Sequence, residues 1–142
     1  MVWCPQNFGK MDIDRLRCAK WVGWFSQQRV GCAPILRKIS KAAQSDSQKK
    51  RLKAFSDALE ILPTVLERMK EAPELEGVDM TKLLEIQELY MKALAIYIEA
   101  CELGIKQVAE QTPSQYAEIR SKISLADSYW ESAAAATYHL FE

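Results

Sequence analysis

Apolar residues along this 142-residue chain recur every three or four positions, and no run alternates apolar with polar. That spacing predicts helices and no sheet, because a turn of 3.6 residues brings positions three and four apart onto one side. The longest such stretch runs from Asp79 to Gln111, 33 residues with no proline and one glycine, Gly104. Leu83, Ile86, Tyr90, Leu94, Tyr97, Cys101, Ile105 and Val108 form its stripe, and Leu89, Ala93, Ile96, Ala100 and Leu103 widen it. Its charges keep to a narrow strip: Glu85, Glu88, Lys92, Glu99, Glu102, Lys106 and Glu110. A helix of this length spans roughly 50 Å and has to be covered on more than one side.

The other segments follow the same rule. Residues 1–10 read as an irregular N-terminal arm with Trp3 and Phe8 as anchors. A helix is predicted from about Asp12 to Arg29, interrupted at Gly31 and resumed from Pro34 to about Gln44, as one kinked helix or two. Ser45 and Gln48 have the spacing of a capping box. The helix they open carries Leu52, Phe55, Leu59, Leu62, Leu66 and Met69, with a kink expected at Pro63. Residues 72–78 form the next connection. Thr112-Pro113-Ser114-Gln115 marks the start of a last helix with Tyr116, Ile119, Ile123, Ala126, Trp130, Ala133, Thr137 and Leu140 on one face. A turn centred near Thr112 places Tyr90 opposite Ala133–Ala136. The expected fold is all-α: an antiparallel, up-and-down bundle of four or five long helices, forming one domain over residues 1–142.

Net charge is zero, from 19 basic and 19 acidic residues, but its distribution is uneven. Residues 1–70 carry 14 Lys and Arg against 6 Asp and Glu; residues 71–142 carry 5 against 13. Halves of +8 and −8 attract each other, within one chain or across an antiparallel dimer. Packing within the chain is the expected arrangement. Cys4, Cys18, Cys32 and Cys101 form no CxxC pair, and His139 is the single histidine, so no metal or cofactor is expected. The N-terminus lacks the apolar core of a signal peptide, and no segment approaches 18 uninterrupted apolar residues. The expectation is a cytoplasmic protein with reduced thiols and no membrane span.

Catalytic constellations are poorly supported. Glu85/Glu88 and Glu99/Glu102 have di-metal spacing but lie on the polar strip, without the Glu-x-x-His partners such a site needs. Cys101 with His139 reads as a core thiol and a helix-terminal histidine. The isolated glycines make no phosphate loop. Two features remain. Trp21, Trp24 and Phe25, with the apolar residues flanking them, spread over too wide an arc of the helix for one helical layer to bury every ring, so at least one is expected to contact a partner or a second copy. Arg37, Lys38, Lys41, Lys49, Lys50, Arg51 and Lys53 form a basic run interrupted by Asp46, a candidate site for nucleic acid or another anionic ligand. No aromatic residue interleaves it for base stacking, which ranks nucleic acid behind a protein partner.

Leu89-Tyr90, Ala93-Leu94, Tyr97 and Ala100, followed by Arg120, Lys122, Ile123 and Glu131, resemble the last two helices of MIT (microtubule-interacting and trafficking) domains over residues 89–131. Asp127 and Trp130 depart from that pattern, standing where a leucine and an alanine belong. The resemblance implies a non-catalytic module whose helix grooves bind a partner's amphipathic helix. The leading expectation is therefore a non-enzymatic protein-interaction or self-association bundle. An anion- or nucleic-acid-binding bundle using residues 37–53 is the alternative, and a small-molecule site within the bundle ranks last.

Overall fold

Ser47 decides where the second helix begins. Its backbone is extended, and its hydroxyl accepts from the Lys50 N–H at 3.3 Å. The Ser45 hydroxyl accepts from the Ser47 N–H at 3.1 Å. The expected box of Ser45 and Gln48 is thus displaced by two residues: Ser45 closes the turn, and Gln48 is the first residue of the helix.

The computed structural model describes residues 5–111 and 115–140, with side chains from Leu16 onward. Helix α1 spans Pro5–Ala43, α2 Gln48–Lys70, α3 Thr81–Glu110 and α4 Tyr116–His139, with no strand among the described residues. The fold is an all-α bundle of four helices. In place of the expected irregular arm, α1 already includes residues 5–10; residues 1–4 and the Phe8 side chain lie outside the described residues. Nor does α1 break at Gly31 or Pro34. Proline at 34 removes the bond to the carbonyl of Val30, and both residues face solvent, so water can satisfy that carbonyl. Helix α2 likewise runs through Pro63, which is exposed. The start signal expected at Thr112-Pro113-Ser114 falls on residues outside those described.

Helix α3 begins where the Asp79 carboxylate accepts from the Thr81 N–H at 3.0 Å and the Thr81 hydroxyl at 2.6 Å. These bonds, chiefly the one from the hydroxyl, hold the Asp79 carboxyl below its ordinary pKa. The helix ends at Gln111 in a left-handed conformation, its N–H reaching the Gln107 carbonyl. Of the expected stripe, Leu83, Ile86, Tyr90, Leu94, Tyr97 and Cys101 are buried. Beyond Cys101 the buried line passes to Gly104 and Gln107, leaving Ile105 and Val108 half-buried. The cause is Phe55 of α2, whose ring lies directly over Gly104.

Cross-helix contacts show that neighbours run antiparallel. Phe55 meets Gly104 while Gln87 donates to the Met69 carbonyl at 2.8 Å, pairing α2 with α3 end to end. The Tyr97 hydroxyl donates to Asp127, and Lys122 reaches Glu99 at 3.4 Å, pairing α3 with α4. Tyr90 meets the edge of Trp130 at 4.9 Å, one turn before the alanines it was expected to face. Arg17 donates to the Glu76 carbonyl at one end of α1, and Arg51 to Ala42 and Ala43 at the other, so α1 lies along α2. Helix α4 packs closely on α3 and only sparsely on α1.

Candidate ligand groove

Four lysines converge where α1 turns into α2. Lys38 and Lys41 are one turn apart near the end of α1, and Lys50 and Lys53 one turn apart at the start of α2. The Ser45–Ser47 turn folds one pair back beside the other. They line a groove of about 430 Å³ whose walls also include Ala42, Ala54, Ser45 and Asp57. All four lysines are exposed, and none is in an ion pair among the described residues. The groove therefore combines a net positive charge, four lysines against Asp57, with small apolar side chains. The first turn of α2 adds the positive end of a helix dipole.

The rest of the basic run disperses. Arg51 is not part of an anion site: it is buried, its Nε donating to the Ala42 carbonyl at 3.2 Å and its Nη2 to Ala43 at 3.3 Å. It closes the C-terminus of α1, where carbonyls lack helical partners, and its guanidinium stacks 3.7 Å from the centre of the Tyr116 ring. Its Nη1 has no hydrogen-bond partner among the described residues. The planar guanidinium suits this position between carbonyls and a ring, whereas an ammonium would not. Arg37 lies on the other side of α1, in a cleft of about 420 Å³ with Tyr97, Asp127 and Trp130; Lys41 borders both hollows. Lys49 is exposed but does not line the groove. Asp57, which sequence reasoning left out, lies four residues beyond Lys53 and so one helical turn along the same wall.

Trp21 and Phe25 are not surface residues. Both are buried, with ring centroids 4.3 Å apart, and Phe25 stacks on Tyr90 of α3 at 5.9 Å. Phe25 reaches α3 through Tyr90, while α1 packs chiefly along α2. Trp24 is half-buried, meeting Phe25 edge-on at 5.2 Å, and alone of the three keeps partial exposure.

The opposed halves pack together within the chain, α2 against α3, as expected. The ion pairs among the described residues are Glu67–Lys70, Glu88–Lys92 and Glu99–Lys122, and none of them joins residues 1–70 to residues 71–142.

Elsewhere, polar groups serve packing. Burial pushes the Cys32 thiol up to about 11 and the Cys101 thiol to about 12. Burial, then the bond to Asp127, raises the Tyr97 hydroxyl well above its ordinary value. His139 lies beside Lys82, Ile86 and Leu89. Along α3, Leu89 is roughly 18 Å from Cys101, so the two do not form a catalytic pair. No cluster of three or more His, Cys, Asp or Glu positioned for a metal occurs among the described residues, and no helix is long and apolar enough to cross a membrane. Neither a protein-family model, a curated protein nor a solved structure matches the chain.

Proposed function

We propose that this chain is a non-catalytic interaction module that takes an acidic polypeptide segment into the groove between α1 and α2. The observation that carries this is the convergence of Lys38, Lys41, Lys50 and Lys53 around one hollow that holds a single carboxylate, Asp57, and no ion pair among the described residues. The groove's chemistry favours a polypeptide over a nucleic acid. Its lining has no aromatic ring for base stacking. Ala42 and Ala54 offer apolar contact to aliphatic side chains between a partner's carboxylates. The class, a partner-binding bundle without catalysis, is the one implied by the likeness of residues 89–131 to MIT domains.

An exposed ion pair contributes roughly 0.2–1 kcal/mol, so four together supply about 1–4 kcal/mol, one to three decades in affinity. Binding is thus expected to be modest and strongly salt-dependent. Fluorescence anisotropy of labelled polyglutamate titrated with the chain tests this. Binding at low salt should fade as salt rises and weaken about tenfold or more in Lys50→Glu/Lys53→Glu. No binding at low salt, or tighter binding of DNA or RNA of equal charge, overturns the reading.

A further inference from the structure

The α2–α3 connection, residues 71–79, has the sequence EAPELEGVD. Glu71, Glu74, Glu76 and Asp79 are exposed, and none is in an ion pair among the described residues. The cations beside it are fewer than its carboxylates: Lys70 is paired with Glu67 at 2.8 Å, Arg17 binds the backbone carbonyl of Glu76, and Lys82 lies near Asp79. Four exposed carboxylates, one of them (Asp79) bonded to Thr81, thus sit at one end of α2, and four exposed lysines at the other. The 23 residues of α2 separate them by roughly 34 Å, several Debye lengths at physiological salt, so they cannot satisfy each other within one chain.

We infer that the acidic segment taken by the lysine groove is this loop from a second copy of the chain, which rests on the function proposed above. Two copies side by side and antiparallel place each loop against the other's groove. A two-fold axis makes both contacts at once and closes the assembly, whereas a single contact of this kind would leave free ends and build filaments. The face of α2 between the two ends fits such an axis. Ile61 lies near the middle of the helix and is 41% exposed. At about 100° per residue it falls within roughly 20° of Lys50 and 40° of Asp57, on the stripe that borders the groove. The antiparallel pairing brings the two Ile61 side chains together near the axis, adding an apolar centre to a charged rim.

Sedimentation velocity over a range of concentrations, at low and high salt, tests the inference with two surface variants. Lys38→Glu/Lys41→Glu/Lys50→Glu/Lys53→Glu makes the groove negative, and Glu71→Lys/Glu74→Lys/Glu76→Lys makes the loop positive. All seven positions are exposed, so circular dichroism should show both variants folded. Each variant alone should self-associate about tenfold or more weakly than the parent chain. An equimolar mixture should recover association, since each reversed groove then meets a loop of opposite sign. A parent chain monomeric at low salt, a dimer indifferent to both variants, or a mixture that fails to associate overturns the inference. Polyglutamate titrated in the same buffer separates the two proposals. If a monomeric chain binds it, self-pairing fails and the groove's function stands; if it does not bind, both fail.

Discussion

Gly104 offers a direct test of how α2 and α3 pack. A Cβ built at this position comes 2.4 Å from Phe55 Cε2, 2.5 Å from Cδ2 and 3.2 Å from Cζ. Real Cβ contacts do not go below 3.0 Å, so the ring or a helix must move. Phe55 is itself buried in the core, and the helices around it leave its ring little room. Two effects therefore oppose each other in Gly104→Ala. Alanine is favoured over glycine in a helix by roughly 1 kcal/mol, and overpacking costs about 1–3 kcal/mol. Gly23 and Gly31 in α1 provide the reference, since a Cβ there meets nothing within 4 Å. Gly23→Ala and Gly31→Ala should stabilise by about 0.5–1 kcal/mol. The gap between these and Gly104→Ala, about 1–3 kcal/mol, isolates the contact with Phe55 from helix propensity.

Urea unfolding followed by circular dichroism measures the three variants on one scale, provided the slopes agree. Repeating Gly104→Ala in a Phe55→Leu background should recover most of the gap, because the atoms in conflict are gone. Equal stabilisation by all three alanines would refute this packing of α2 on α3.

Two further outcomes follow from buried polar groups. Arg51→Ala should cost about 1–3 kcal/mol through the lost carbonyl bonds and the ring contact, while exposed Lys49→Ala should stay within about 0.5 kcal/mol in the same assay. Stability should fall as pH rises from about 9, because unfolded cysteines lose protons near 9.0 while the folded chain holds Cys32 to about 11 and Cys101 to about 12. Each contributes up to about 1.4 kcal/mol per pH unit across its window, and urea midpoints should decline less steeply in Cys32→Ala/Cys101→Ala.

The sequence by itself determined the fold class and the extent of α3, because apolar spacing is a local record of helix geometry. The expected span of Asp79–Gln111 differs from the observed Thr81–Glu110 by two residues at the start and one at the end. Charge asymmetry and the basic run were equally plain. Tertiary structure decided what each of these residues does. Pro34 was tolerated inside α1 because the carbonyl it freed faced water, which local propensity does not record. Trp21 and Phe25 were taken inside as Phe25 stacked on Tyr90 of α3 and Trp21 on Phe25, and Arg51 left the basic run because the carbonyls closing α1 lay within its reach. Lys38 and Lys41 came beside Lys50 and Lys53 only through the turn at Ser45–Ser47. The opposed halves, legible as a sum of charges, pack through α2 and α3 without an ion pair between them among the described residues, while the groove and the acidic loop lie at opposite ends of α2, where screened attraction is negligible.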